Sequence, residues 1–442
     1  MAELARVLAG FALGAVADAG AGAVMKLSIL DWAAVGLAGA GQPVARIVRD
    51  QALAEGGAGQ AGLIGDAARV PARAAALVNG ATSHALDYDD THFAHIGHLS
   101  VAVLPAALAL AELTGADAAA FENACLVGAE GALRVGVWLG RGHYEIGFHQ
   151  TATAGAFGAT LAAGRLLGLS GAQMEMALGL VATRASGLKS QFGAMGKPLN
   201  AGLAAQNGVE AAQWAARGLT SHPAALDGPQ GFGATHHGAG EMSAFDGLGQ
   251  SWRFPAVHHK FHACCHGLHA ALEALAGLPS GVSDAEIAEI TVFTHPRWLD
   301  VCNIAAPRSG LEAKFSYRAA LAMRLCGHDT ARLESFSDAV CQAPRVRALG
   351  ERIAARAEAG LGEMQARLDV RLAGGARLEL FHDLDAGQSL EARRARVRAK
   401  AAALLGAARA ERLWQIVRDG ADPARLAAEL AAQSASSSSF SA

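Results

Sequence analysis

The chain has 442 residues, of which 52% are hydrophobic and 17% charged. That is ample apolar material for buried cores and too little charge for a disordered chain, and at this length two domains are expected. A net charge of −3 without any long run of like charge excludes a polyanion-binding face, so nucleic acid is not an expected partner.

The apolar opening, ELARVLAGFALGAVADAGAG, carries Glu3 and Asp18 and a single Arg before its apolar run, which predicts an amphipathic helix rather than a signal sequence. No stretch reaches roughly 18 uninterrupted strongly apolar residues, so no membrane-spanning segment is expected. From there to about residue 260 helix follows helix, with Ala and Gly at the contact spacing, as in GAFGATLAAGRLLGLS. Small residues at i, i+3 and i+4 let backbones approach closely, and the reading is a large all-helical domain over residues 1–262.

After Lys260 the character changes. DAEIAEITVFTH ends in an alternating β-branched run, and ARLDVRLAGGARLELFHD reads as two strands joined by a Gly-Gly turn. Helical segments lie between them, including the one after EAKFSYRAALAMRL, so residues 263–388 form a smaller α+β lid domain. The pattern then turns helical through DPARLAAELAAQ. Residues 389–442 are expected to complete the first domain and to end in a disordered Ser-rich tail, SASSSSFSA. The fold class is mainly α, and a cleft between two such domains is the usual place for a small-molecule site. The six cysteines show neither a disulfide framework nor a CxxC pair, which suits a reducing, cytoplasmic setting.

Four stretches gather residues able to do chemistry. HALDYDDTHFAHIGH, His84 to His98, puts four histidines and three aspartates into fifteen residues. One helix is expected to end near His84 and another to begin at Ser100 as its cap. His98 then stands at the positive end of a helix dipole, where a carboxylate ligand is welcome. The alternative makes Asp87, Asp89 and Asp90 turn and cap residues and leaves the histidines exposed. In GHYEIGFHQTATAGAFG, His149 stands just before Thr151, read as a cap, and Tyr144 could point the same way; the alternative is a core His and an interface Tyr.

In QFGAMGKPLNAGLAAQNG, Lys197 precedes Pro198, a residue favoured at the first helical position. A lysine there is electrostatically misplaced, and a substrate carboxylate is the natural anion to offset it; otherwise it is simply exposed. The chain has 31 Arg but six Lys, so each Lys marks a candidate place for a compact, tunable ammonium. VHHKFHACCHGLH, Val257 to His269, invites a zinc reading, but its ligand types are crowded rather than set at the spacing of zinc modules. A polar cluster at the domain junction, with Lys260 reaching into the cleft, is preferred, and no metal is assigned. Three basic side chains before helix starts suggest a pocket for a substrate with several carboxylates.

NGATSHALDYDDTH…HLSVAVLPAALALAE, GFHQTATAGAFGATLAAGRLLGLS and KPLNAGLAAQNGVEAAQWAARGLT closely resemble the MmgE/PrpD family, and the match runs to about residue 410. The family includes 2-methylcitrate dehydratases, cis-aconitate decarboxylases and iminodisuccinate epimerase. The resemblance implies a helical domain with an α+β lid, a homodimer, and no cofactor, metal or membrane partner. It also implies a cleft holding Asp87, Thr91, His98, His149, Lys197, Lys260 and Tyr317. The chain departs from the family at Leu99, at Asn200, where His is frequent, and at Cys265, which is His in decarboxylase-like members. Tyr144 looks like the epimerase.

These residues suggest a 2-methylcitrate dehydratase-like reaction on a di- or tricarboxylic acid. Lys197 and Lys260 would bind carboxylates, and His98 and His149 would share the proton transfers. Asp87 would orient a histidine, and Tyr317 would supply a hydrogen bond or proton from the lid. Thr91, Tyr144, Cys265 and Asn200 are expected to touch substrate. Epimerisation of a dicarboxylate is the alternative, with decarboxylation and simple carboxylate binding behind it.

Overall fold

The computed structural model describes residues 3–16 and 18–432. The Ser-rich tail, 434–442, lies outside the described residues. The chain divides into two compact units, Met1–His259 with Leu405–Ala442, and Lys260–Leu404. The helix Leu390–Leu405, read from sequence as part of the first domain, lies in the second unit but for its last residue.

The opening segment is two helices rather than one. Leu4–Leu13 buries Leu4, Ala5, Leu8, Ala9 and Ala12 at amphipathic spacing and stops at Gly14. Asp18 then caps the helix Ala19–Gly39 by accepting from the Ala21 N–H at 2.7 Å. Contrary to expectation, that second helix is long and apolar enough to cross a membrane, yet 78% of its apolar window is buried inside the protein. Leu27, Ile29, Leu30 and Trp32 are buried on different sides of it, as in a central helix wrapped by neighbours.

Glycines decide how the next helices meet. Ala72–His84 packs on Gly196–Ala216 with Gly80 against Gly202. A Cβ at Gly80 would stand 2.7 Å from Gly202 Cα, and one at Gly202 would stand 2.3 Å from the Leu77 carbonyl oxygen. Any side chain at either position would force the helices apart. Because Gly80 lies close to His84 and Gly202 close to Lys197, this crossing sets the last turn of one helix beside the first turn of the other. Gly128 and Gly158 do the same for Ala118–Ile146 and Gln150–Leu166, where a Cβ at Gly158 would meet the Gly128 carbonyl at 2.4 Å. The helical run 118–146 itself breaks at Gly140, whose φ is 76°.

The first unit is not purely helical, which corrects the sequence reading. β1, Ala61–Leu63, and β2, Asp66–Val70, form an antiparallel hairpin that turns at Gly65, with φ 77°. Its strands are too short and too Ala-rich for an alternating pattern to stand out. Asn79 fastens it to the helices, accepting from the Ile64 N–H and donating to the Gly62 carbonyl.

The second unit holds a four-stranded sheet in the order β4 (Ile353–Ala357), β3 (Ile287–Thr294), β5 (Gln365–Leu372), β6 (Arg377–Asp383). β3 and the hairpin of β5 with β6 are the strands expected from sequence. β4 was not; its IAARA run pairs parallel to β3. A parallel pair needs a long crossover, and the helices between residues 296 and 350 supply it. Among them Tyr317–Leu325 packs on β4, while His269–Leu275 covers β5 and β6. The two domains of the sequence reading thus become a mainly helical unit and an α+β unit.

Candidate active site

The glycine-set crossing brings together the loop after His84 and the start of the helix carrying Lys197. The loop leaves its helix by a turn in which the Asp87 N–H donates to the His84 carbonyl at 3.1 Å, with Asp87 at a φ of 51°. A left-handed conformation is uncommon outside glycine, although Asp tolerates it better than most. Tyr88 is buried in the core, so Asp87 and Asp89, on either side of it, are left to the polar side.

Asp89 is the centre of the arrangement. It is fully buried, and its two carboxylate oxygens face two rings: His84 Nδ1 lies 2.9 Å from Oδ1 and His98 Nδ1 lies 2.7 Å from Oδ2. Burial alone would raise its pKa, but the two histidines outweigh that and hold the carboxyl well below its usual range. At that distance an ionised Asp89 favours the His98 tautomer that carries its proton on Nδ1, which would leave Nε2 as the ring's proton acceptor. Burial pushes His98 down to about 4 against the pull of Asp89, so the ring is neutral at ordinary pH. Thr91 Oγ1 stands 3.4 Å from the same Nδ1, and the His98 backbone N–H donates to Thr151 Oγ1 at 3.0 Å.

Lys197 resolves the electrostatic puzzle of its position in an unexpected way. It sits in the first turn of Gly196–Ala216, where the helix dipole repels a cation, and its Nζ is 2.6 Å from Asp87 Oδ1. The offsetting anion in this structure is therefore the protein's own Asp87. The same oxygen lies 3.4 Å from His98 Nε2. Asp87 is 42% exposed while Asp89 is wholly buried, so Asp87 is the member of the pair that solvent reaches. The expected role of orienting a histidine passes from Asp87 to Asp89.

His149 comes from a third element. It is the N-cap residue of Gln150–Leu166, so Thr151 is not the cap; its hydroxyl serves His98 instead. Likewise Ser100 opens its helix without capping it, since Asp90 accepts from both the Ser100 N–H and its Oγ–H. Asn200 Nδ2 lies 3.2 Å from His149 Nδ1 and within 3.5 Å of the Leu188 carbonyl oxygen, an amide orientation that favours the tautomer with the ring proton on Nε2. Burial first, then Lys197, keep His149 well below its ordinary pKa and hence neutral. Its ring stacks 6.1 Å from His84, and Phe192 meets it edge-on at 5.0 Å.

Tyr144 does not join these residues. Tyr144 carries Lys189, whose Nζ lies 3.8 Å from the ring centroid and 2.9 Å from the Tyr144 carbonyl oxygen. That contact anchors the segment bearing Phe192 instead of offering the Tyr144 ring to a substrate. Lys260, Cys265 and Tyr317 belong to the second unit. Tyr317 is fully buried there, and its hydroxyl donates to the Gly267 carbonyl at 2.7 Å with Thr294 Oγ1 at 3.1 Å. Its one proton is committed to packing, which corrects the role of proton donor.

His84 and Asp89 were missed as site residues. The i, i+2 spacing of Asp87 and Asp89 about an apolar Tyr was the available signal.

Asp87, Asp89, His84 and His98 place four ligand-type atoms within 4.8 Å of one another, a donor set that could hold a cation. Each aspartate is already matched to a partner on this chain, Asp87 to Lys197 and Asp89 to the two rings. The crowded stretch 257–269 forms no such set among the described residues. There His259 Nε2 meets Ser28 Oγ in the first unit, while His262 meets Thr330 and Glu273 in the second.

Residues 2–245 match the MmgE/PrpD N-terminal domain and residues 262–420 the MmgE/PrpD C-terminal domain. A cis-aconitate decarboxylase of Aspergillus terreus is 31% identical over 268 residues, 57% of this chain and 55% of that protein. A cis-aconitate decarboxylase-like protein of Aspergillus oryzae is 31% identical over 310 residues, covering 62% and 63%. The Homo sapiens cis-aconitate decarboxylase is 35% identical over 174 residues, 38% and 35%. The chain spans about half the length of the Aspergillus terreus relative it matches.

Proposed function

The chain belongs to the MmgE/PrpD family, and from the site it carries we propose that it is a lyase that dehydrates a small hydroxylated tricarboxylic acid of the citrate or 2-methylcitrate type. The observation that carries this reading is the different backing of two buried histidines: Asp89 Oδ2 lies 2.7 Å from His98 Nδ1, whereas Asn200 Nδ2 lies 3.2 Å from His149 Nδ1. On that backing His98 would offer Nε2 as a proton acceptor and His149 its Nε2–H as a donor.

In this reading a substrate carboxylate takes the place of Asp87 on Lys197 Nζ. Lys197 then stabilises the enolate-like charge that develops when His98 Nε2 removes the proton beside that carboxylate. The Nε2–H of His149 hydrogen-bonds the hydroxyl that leaves as water. His84, tied to the other oxygen of Asp89, keeps that carboxylate aimed at His98. Proton removal by a neutral base is the step a dehydration or an epimerisation begins with, and dehydration adds a use for the donor on His149.

Decarboxylation of a cis-aconitate-like acid is the second reading, favoured by the printed activity of the relatives. The purified chain is incubated with citrate, 2-methylcitrate and cis-aconitate. Dehydration appears as a rise in the ultraviolet absorbance of the new conjugated double bond with no loss of carbon. Release of carbon dioxide from cis-aconitate, with the hydroxy acids untouched, would replace the first reading by the second. Solvent deuterium entering an otherwise unchanged acid would replace both by epimerisation.

A further inference from the structure

The second unit contains a pair of thiols that the proposed reaction does not use. Cys302 ends the helix Pro296–Cys302 and is fully buried, while Cys265, part-buried, precedes the short turn His266–Leu268. Their Sγ atoms lie 3.1 Å apart, with the Cys302 thiol donating to Cys265. A covalent S–S bond is about 2.05 Å, so only about 1 Å of approach separates this contact from a disulfide.

The approach is fixed by packing. A Cβ at Gly267 would meet Trp298 at 2.5 Å and Cys302 Sγ at 3.0 Å, so the backbone just after Cys265 is pressed onto the helix that carries Cys302. Two further bonds hold it there: the Cys265 N–H donates to the Lys314 carbonyl, and Tyr317 Oη donates to the Gly267 carbonyl. The adjacent Cys264 is buried and makes no such contact among the described hydrogen bonds.

We propose that Cys265 and Cys302 are a reversible oxidation site, closed to an intradomain disulfide by a peroxide and reopened by a dithiol reductant. The donated S–H favours negative charge on Cys265, the more exposed sulfur, which makes it the attacking thiol. Its thiolate displaces one peroxide oxygen as water and becomes a sulfenic acid. The Cys302 sulfur then attacks that sulfur, its proton leaves with the hydroxyl as a second water, and the S–S bond forms. Overall two thiols and one peroxide give one disulfide and two waters; each sulfur is oxidised by one electron, and each peroxide oxygen is reduced by one. A dithiol reductant reverses this by exchange through a mixed disulfide.

The test uses the full chain, freed of reductant, treated with a few equivalents of hydrogen peroxide, then alkylated in denaturant and digested without reduction. The expected result is the loss of two of six alkylatable thiols and a linked peptide pair lighter by two hydrogens. Dithiothreitol restores both thiols. The linkage persists in Cys264→Ser and is lost in Cys265→Ser. In Cys302→Ser the Cys265 sulfenic acid accumulates and is trapped by dimedone. A link through Cys264 would overturn the proposal. So would Cys265 oxidised to sulfinic acid while Cys302 stays alkylatable, or both thiols intact at a peroxide dose that oxidises Cys326. The readout is mass and thiol count, so it stands apart from whichever reaction the chain catalyses.

Discussion

Residues 84–98 and residues 257–269 both crowd ionisable side chains into a short span, the first with four histidines and three aspartates, the second with five histidines and two cysteines. In the first, Asp89 gathers His84 and His98 onto its two oxygens, and Asp87 joins His98 to Lys197 from a distant helix. In the second, the hydrogen bonds of three of the five histidines go to different groups, and no shared carboxylate gathers them. His259 goes to Ser28, His262 to Thr330 and Glu273, and His269 to the Cys264 carbonyl. Crowding along the chain therefore says little about convergence in space. Convergence needed an acidic residue able to accept from two rings at once, and a helix crossing close enough to deliver a cation to the same point.

The sharpest way to break this contrast is to remove the members of the first network. Lys197→Ala is expected to lower kcat/KM by about 10²–10³-fold, the usual cost of losing a donor aimed at developing charge. Asp89→Asn should cost about 10²-fold in kcat. It should also move the acid limb of the pH profile downward, because the carboxylate is what favours protonated His98 over its neutral form. Stopped assays on either side of pH 5 measure both. Retention of wild-type turnover by either variant would show that the network is structural and that the chemistry lies elsewhere.

How much of this was legible beforehand follows the same division. The helix ends at His84 and Ser100, the strands β3, β5 and β6, and the gathering of Asp87, His98, His149 and Lys197 could be read from local pattern and from resemblance. The parallel strand β4 could not, because its IAARA run carries no alternation and its partner is far along the chain. Nor could the anion on Lys197: the dipole argument demanded one, but only the Gly80–Gly202 crossing decides that Asp87 is within reach. Tyr317 shows the opposite failure, since a family position was legible while its burial and its bond to Gly267 were not.

A second test separates Asp90 from its neighbour. Both aspartates are fully buried, but Asp90 meets Ser100 rather than two rings, and burial raises it to about 7. Between the unfolded carboxyl near 3.8 and the folded value near 7, the native state holds a proton that the unfolded chain has released. Stability from this group is therefore present at low pH and lost as pH rises through that window. His98, pushed down to about 4, works the other way, since its contribution is lost as pH falls from its unfolded value of 6.5 towards 4. Asp90→Asn removes only the first effect. Relative to the parent, the variant should gain on the order of a few kcal/mol between pH 4 and pH 7, measured by denaturant unfolding. A difference that stays flat across that range would mean Asp90 is ionised in the fold.

The smallest effect is expected in the second stretch, where it also sharpens the contrast most. His262→Ala leaves Thr330 Oγ1 without its ring partner at 2.7 Å and takes from Glu273 the contact at 3.1 Å, although Arg396 still holds that carboxylate. The variant should lose about 1–3 kcal/mol of stability, the cost of buried polar groups left short of partners. Turnover of whatever substrate the parent accepts should stay within about twofold, because both partners of His262 belong to the second unit and the Asp89 network is built within the first. If His262→Ala instead cut kcat as deeply as Lys197→Ala while the fold stayed intact, residues 257–269 would be part of the catalytic machinery. Convergence on Asp89 would then no longer distinguish the two stretches.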